Sequence, residues 1–426
     1  MKILIVSHKP PYPILDGGCL AMARLLSDTL ALPGLEQLDY FSCSTHKHPF
    51  AAEQFPKHAK LNLFHHNIDT KVKPLPALYA LFKQESYNLT RFYTAEITEA
   101  LKKLDKQHQY DYIIFESLFT AIYAKYLKGS TQAKLIYRSH NIEHQIWKDL
   151  AKNTKNFLKR WYLLQLAYSL KWAERSCWSE DQGGLNLILS ISGQDAQNME
   201  SQTLTSIRYL PSSIEEPTER SNAQNQALCF IGAFDWQPNI EAVDWIITKV
   251  IPTLRKEMPN LVFHVAGKGS DQITRWQIPG VQCHGFVPDS KAFIVNNGLF
   301  ISGLQAGSGV KMKVLEAMSV GAPMVLTQKS AEGLDAFAYK KLHQDPNSFA
   351  QECLELLHSP ELMQQDGAAN FSDDDVAAHL LGHLLDAFLD LVGDVRDDLD
   401  GPALVLAGTL LFQDAHVNLA AGQVVQ

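Results

Sequence analysis

Between residues 307 and 318 the chain reads Gly-Ser-Gly-Val-Lys-Met-Lys-Val-Leu-Glu-Ala-Met. Gly307, Ser308 and Gly309 form a turn whose glycines can take φ > 0 and let backbone amides approach a ligand closely. Val310, Val314, Leu315 and Met318 recur at helical spacing, so a helix is predicted to start at this turn. Lys311 and Lys313 fall in its first turn, where the macrodipole disfavours cations by about 0.3–1 kcal/mol each. Free amide N–H groups at a helix start, joined by two ammonium groups, make a site for an anion such as phosphate. Glu316 follows Lys313 on the same helix face, and its carboxylate could accept hydrogen bonds from a ribose diol. The competing reading is a surface helix whose Lys313–Glu316 pair is only an exposed ion pair. Gly321 is placed to end the helix, with Pro323 just beyond it, and a buried strand is expected over 323–326.

Such a turn needs strands and helices to hold it. Residues 2–6 form an apolar run, followed by a loop containing Asp16, Gly17 and Gly18 and a predicted helix over 20–32. Strand, Gly-rich loop and helix in that order open a doubly wound α/β domain. Gly17 and Gly18 lack the full dinucleotide fingerprint, and a simple tight turn also explains them. Further apolar runs lie at 37–43, 61–64, 112–115, 134–137 and 186–191, with helical patterns over 94–106 and 118–127. This alternation predicts a parallel sheet covered on both faces. The run ending at Tyr137 leads into Arg138-Ser139-His140-Asn141-Ile142-Glu143-His144. Ligands bind outside the carboxyl ends of such strands, so Arg138 and His140 are cleft candidates. The alternative for His140 is a hydrogen-bonded cap of the next helix.

A single long helix is predicted over 141–178. Its Lys152, Lys155, Lys159, Arg160, Lys171 and Arg175 alternate with Phe157, Trp161, Tyr162, Tyr168 and Trp172. Basic and aromatic residues so mixed suit an interfacial helix touching anionic lipid headgroups. A core-packed helix with snorkelling lysines is the competing reading. Residues 211–226 are polar and aperiodic, as an interdomain linker is. The pattern then restarts, with a strand ending at Gly232, a helix over 240–257 and strands at 261–266, 281–284 and 298–302. Helices follow near 348–357 and 360–369. Ser372-Asp373-Asp374-Asp375 suits a helix N-cap with acidic first turn better than a metal site. The reading is therefore two doubly wound domains, 1–210 and 227–371, around a linker at 211–226. A closing helix at 372–392 and a tail at 393–426, to which no role is assigned, complete it.

Composition agrees with this. A chain of 426 residues with 46% hydrophobic and 20% charged residues has the length of two domains and the make-up of a soluble enzyme. Its net charge of −8 argues against general nucleic-acid binding. The acidic residues are concentrated beyond Leu342, where Arg396 is the only basic residue, so the main body is mildly basic. Six scattered cysteines without metal-like spacing suit a reducing compartment. No apolar run approaches the ~20 residues of a membrane span, and no signal-peptide pattern opens the chain. A cytoplasmic protein, at most peripheral to the membrane, is expected.

Taken together, these residues resemble the GT-B glycosyltransferases, specifically the retaining family 4 group, in its Gly-Ser-Gly form. The likeness rests on residues 1–7 with Asp16-Gly17-Gly18, on Arg138 through Glu143, on Phe230-Ile231-Gly232 through Trp236, Pro238 and Asn239, on Gly307 through Met318, and on Ala331-Glu332-Gly333-Leu334. It implies a nucleotide-diphosphate sugar held against the second domain and a glycan or lipid-linked acceptor facing the first. In that frame Glu316 holds the ribose, Gly17 and Gly18 meet the donor phosphates, and His140 lies near the reacting sugar. Gly232, Ser308, Gly309, Glu332, Gly333 and Leu334 belong to the donor side. The resemblance also implies retention of configuration and no cofactor or metal, protein cations stabilising the leaving diphosphate. Two departures stand out. Ser308 occupies the place of a family glutamate, and Asp235-Trp236-Gln237-Pro238-Asn239 replaces the usual Arg and Lys. Lys311 and Lys313, with Arg138 as a further candidate, are therefore expected to carry the diphosphate charge. A non-catalytic GT-B subunit of a polysaccharide assembly and a nucleotide-sugar 2-epimerase are the alternatives.

Overall fold

The computed structural model describes residues 1–73, 75, 76, 79, 80, 83, 85–213, 221, 225–307, 309–334 and 342–370. The closing helix at 372–392, the acidic triplet and the tail lie outside these residues, as do Ser308 and most of the linker.

Two parallel sheets organise the chain. The first contains β1 (Lys2–Ser7), β2 (Gln37–Ser44), β3 (Leu61–Asn67), β4 (Tyr112–Glu116), β5 (Lys134–Ser139), β6 (Leu187–Ser190) and β7 (Ser206–Tyr209), in the order β3-β2-β1-β4-β5-β6-β7. The second contains β8 (Leu228–Ile231), β9 (Phe263–Ala266), β10 (Val281–Cys283), β11 (Leu299–Ser302), β12 (Met324–Thr327) and β13 (Leu342–His343), in the order β10-β9-β8-β11-β12-β13. Strand order reverses between β1 and β4 in one sheet and between β8 and β11 in the other. Crevices for ligands open at these switch points, outside the strand carboxyl ends.

The central strands are apolar and buried throughout, Leu4, Ile5, Val6, Phe115 and Phe230 having no exposed surface. Helices pack on both faces of each sheet, as such runs require. One core cluster crosses the domain boundary. Leu20 and Ala21, from the first helix (Gly17–Leu30), pack with Met312, Val314, Leu315 and Met318 of the second domain. The two units therefore meet through an apolar contact beneath the cleft.

Several elements differ from the sequence reading. The helix expected over 141–178 is two helices, Glu143–Asn153 and Phe157–Trp178. Asn156 breaks it by capping the second helix, accepting from the Lys159 N–H at 3.0 Å. The 118–127 pattern is likewise two short helices, Leu118–Ala121 and Ala124–Leu127. The 240–257 helix begins earlier, at Gln237, and carries a π-helical turn at Ile246–Val250 just before Pro252, which has no N–H to donate. β7 and β13 were not anticipated; four and two residues long, they are too short to show a period.

Candidate active site

The cleft between the two sheets has a volume of about 1080 Å³, large enough for a nucleotide-sugar. Its floor on the second-domain side is the 307–319 segment. Gly307 and Gly309 take φ of 120° and 72°, the conformations expected for this turn. A Cβ at Gly309 would lie 2.3 Å from Asn141 Oδ1 and 2.6 Å from the His140 carbonyl, so only glycine lets the turn touch the first domain. The helix Met312–Ser319 follows, ended by Gly321 at φ 61°.

Lys313 reaches back to β8. Its Nζ donates to Asn239 Oδ1 at 2.6 Å and sits 4.4 Å from the Phe230 ring centroid, while Asn239 Nδ2 is anchored on the Ala233 carbonyl at 2.8 Å. A Cβ at Gly232 would fall 2.9 Å from this ammonium, which accounts for the glycine. Burial pushes the Lys313 pKa down to about 7, with Lys311 adding to the effect. Burial also brings Lys311 down to about 8, against the pull of Glu332. Lys311 donates to the Gly309 carbonyl and lies 3.6 Å from Glu332. Two buried cations whose charge the protein itself solvates poorly are placed to gain from an anion.

Glu316 lines the same cleft. The exposed Lys313–Glu316 pair of the competing reading is not formed; Lys313 turns to Asn239, and Glu316 accepts from Ser290 Oγ at 2.5 Å. Burial raises the Glu316 pKa, opposed by Ser290, Lys291 and Arg24.

On the first-domain side, Gly17 and Gly18 line the cleft and begin the first helix, capped by Asp16, which accepts from the Cys19 N–H at 2.8 Å. A Cβ on Gly17 would meet Met312 at 3.2 Å. Lys9 holds the Asp16 carboxylate at 2.5 and 2.7 Å. Asp16, Cys19 and His48 are the only His, Cys or carboxylate cluster close enough to hold a cation among the described residues, and the Lys9 ammonium already lies against this Asp16 carboxylate.

His140 faces the cleft from the end of β5 and is hydrogen-bonded through Nε2 to Glu116 Oε2. Arg138 does not line the cleft. It is 2% exposed, and its Nη1 donates to both Glu116 oxygens at 3.1 and 3.3 Å and to the Ala21 carbonyl at 3.2 Å. Burial alone would raise the Glu116 pKa, but Arg138 and His140 hold it below the usual carboxylate range. Arg138 thus fixes Glu116, and Glu116 orients His140. Glu332, Gly333 and Leu334 also stand behind the site rather than in it. Glu332 accepts from Lys329 at 2.9 Å, Gly333 (φ 86°) packs on Val310, and Leu334 is buried. They support the 307–311 turn.

Sequence reasoning passed over His8, Lys9, Glu116, Ser117, Ser290 and the charge state of Glu143. Their positions at or just beyond strand ends, or at a helix start, were the available signal, the same one that marked His140. Glu143 lines the cleft beside Glu174, and burial followed by Glu174 raises its pKa to about 8. The unfolded chain then loses this proton well before the folded one, so this carboxyl destabilises the protein increasingly as pH rises from the usual glutamate range towards 8. Glu143→Gln should raise Tm more at pH 8 than at pH 5, readable by thermal melts at both values. An equal change at both would show that Glu143 ionises normally.

Residues 225–359 match the family model of group 1 glycosyl transferases. That match spans most of the second domain. Among the described residues, the GT-B fold expected from the sequence is the fold observed. Sucrose-phosphate synthase from Thermosynechococcus elongatus superposes with a TM-score of 0.63 at 13% identity, covering 98% of this chain and 100% of that one. HepE of Anabaena, solved with UDP and glucose, gives a TM-score of 0.61 at 13% identity over 94% and 100%. WaaG, a glycosyltransferase involved in lipopolysaccharide biosynthesis, gives 0.55 at 12% identity over 87% and 94%. In sequence, the chain is 22% identical over 352 residues to an uncharacterized 44.6 kDa protein in the cps region of Klebsiella pneumoniae, covering 78% of this chain and 84% of that one.

Proposed function

We propose that this glycosyltransferase moves a sugar from a nucleotide-diphosphate sugar to a glycan or lipid-linked acceptor during assembly of a bacterial surface polysaccharide. The observation that carries the reading is the pair of buried, under-charged lysines at one helix start, Lys311 and Lys313, with Glu316 in the same cleft. Lys311 and Lys313 hold the diphosphate, Glu316 and Ser290 hold the ribose, and the amides of the 307–311 turn complete the phosphate site. The cps-region relative, the neighbour solved with UDP and glucose and the neighbour involved in lipopolysaccharide biosynthesis support the donor class and the setting. Leaving-group charge is taken up by preorganised donors and cations, a metal-independent scheme, with the oxocarbenium-like transition state common to glycosyl transfer. Retention of configuration is part of the same proposal. Incubating the protein with a panel of nucleotide-sugars and measuring nucleotide release, with and without sugar acceptors, tests it. Selective release of one nucleotide supports the transferase; epimerised donor would favour the epimerase; binding without turnover would favour a non-catalytic subunit.

The acceptor side carries a second element of the proposal. The helix Phe157–Trp178 buries Leu163, Leu166, Leu170 and Trp178 but leaves Phe157, Trp161, Tyr168 and Trp172 at 77, 54, 64 and 66% exposure. The aromatics of the basic stretch are thus on the surface and not in the core. No helix among the described residues is long and apolar enough to cross a membrane, and this face suits peripheral contact with an anionic bilayer. Replacing Lys155, Lys159 and Arg160 by Glu should abolish sedimentation with anionic vesicles, each basic residue contributing about 1 kcal/mol. Absence of wild-type binding at low salt would remove the membrane from the proposal.

A further inference from the structure

The loops after β1 and β4, on either side of the first switch point, place His8 and Ser117 together in the cleft. His8 Nδ1 lies 2.8 Å from Ser117 Oγ and 3.4 Å from the Glu116 backbone carbonyl. A carbonyl can only accept and the Ser117 hydroxyl can do either, so a proton on Nδ1 satisfies both contacts at once and leaves Nε2 with a bare lone pair. The ring is wedged between Phe119 and Phe92, at 5.5 and 6.3 Å between centroids, and Nε2 has no hydrogen-bond partner among the described residues. Burial, then Lys9 and His140, holds the imidazole well below its ordinary pKa and so neutral.

Ser117 is built for this contact at a cost. Its backbone has φ 79° and ψ 162°, a region that only glycine occupies readily, where strain of order 1–3 kcal/mol is tolerated chiefly at functional sites. It is held there by its N–H donating to the Arg138 carbonyl at 3.1 Å. Glu116 thus serves both histidines, orienting His140 through its carboxylate and His8 through its carbonyl.

We infer that His8 is a positioning residue of the acceptor site, its Nε2 accepting a hydrogen bond from the hydroxyl of the incoming sugar, with Ser117 and the Glu116 carbonyl fixing the tautomer. This rests on the glycosyltransferase reading. A neutral acceptor with one fixed lone pair selects an O–H donor, which a polyhydroxylated glycan supplies and the diphosphate group does not; the nucleotide's own hydroxyls, the ribose diol, belong to Glu316 and Ser290 in the proposed site. No proton transfer is required; the contact orients the attacking oxygen.

Two measurements on the full chain decide it. Nitrogen-15 spectra of histidine-labelled protein at pH 7, with the His8 signals assigned by their loss in His8→Gln, should show the Nδ1–H tautomer and an unprotonated Nε2. An Nε2–H tautomer or an imidazolium would overturn the inference whatever the enzyme's substrate. In transfer assays with methyl hexopyranosides as acceptors, His8→Ala should raise the acceptor KM at least tenfold, change calorimetric affinity for UDP and GDP by less than twofold, and be partly rescued by His8→Gln, whose Oε1 can accept in place of Nε2. An unchanged acceptor KM, or a parallel loss of nucleotide affinity, would also overturn it. Failure of the underlying reading has a different sign: no nucleotide release from any donor by the wild type.

Discussion

Lys311→Ala is expected to lower kcat by roughly ten- to a thousandfold, the range for loss of one preorganised electrostatic stabiliser, while donor affinity falls less. The diphosphate gains charge as the glycosidic bond breaks, so a cation against it contributes most in the transition state. The structure sharpens the reason. Lys311 is held by the Gly309 carbonyl and Glu332, so its position is set before the donor arrives. Its pKa, lowered to about 8 by burial, recovers when an anion binds. Lys313 is a less direct probe, because its ammonium also holds Asn239 in the first turn of the helix that follows β8. Lys311→Arg should restore little, since a planar fork cannot repeat the contacts of a compact ammonium. Steady-state kinetics on the two variants check this; an equal fall in affinity and kcat/KM with kcat unchanged would assign Lys311 to ground-state binding instead.

The second large effect is on stability. Glu116 has no exposed side-chain surface and carries both Arg138 and His140. Glu116→Gln leaves the Arg138 guanidinium buried without a counter-charge, and breaking such a pair costs about 3–5 kcal/mol. That is a large part of the 5–15 kcal/mol by which domains are stable. Replacing Glu116 and Arg138 together by Gln and Met should cost less than the single change, because no uncompensated charge remains. The acid limb follows from the same group. The folded-state pKa of Glu116 is depressed, so its stabilisation is present above the ordinary glutamate range and is lost as pH falls through the depressed value. Urea titrations of the wild type and both variants at neutral and acid pH read these differences. A single variant as stable as the wild type would show that the buried trio contributes nothing.

Much of this arrangement was legible from residue patterns. Alternating apolar runs marked eleven of the thirteen strands, because a central parallel strand must be apolar on both faces. The Gly-Ser-Gly turn announced a backbone with positive φ and a helix start, and Gly307 and Gly309 take it. Side-chain partnership was not legible. Lys313 and Glu316 share a helix face, yet each finds a partner from a segment distant in sequence, Asn239 and Ser290. Arg138 looked like a cleft cation because it lies near the end of β5, but it is buried on Glu116 beneath His140. Residues two apart share one side of a strand, and both bind Glu116; Arg138 is still inside β5, whereas His140 lies just past its end and reaches the crevice. His8 was overlooked for a related reason: nothing local ties it to Ser117, 109 residues away.

The central claim is that Lys311 and Lys313 form a diphosphate site in the cleft. Calorimetric titration of UDP and GDP into the wild type and the Lys311→Ala, Lys313→Ala double variant tests it most directly, repeated in two buffers of different ionisation enthalpy. With pKa values near 8 and 7, the two lysines are partly neutral amines at pH 8, and that neutral fraction takes up protons as the diphosphate binds. Saturable binding of at least one nucleotide with net proton uptake at pH 8, both lost in the double variant, is the predicted result. Binding that survives the double substitution unchanged, or occurs with no proton uptake, would contradict it.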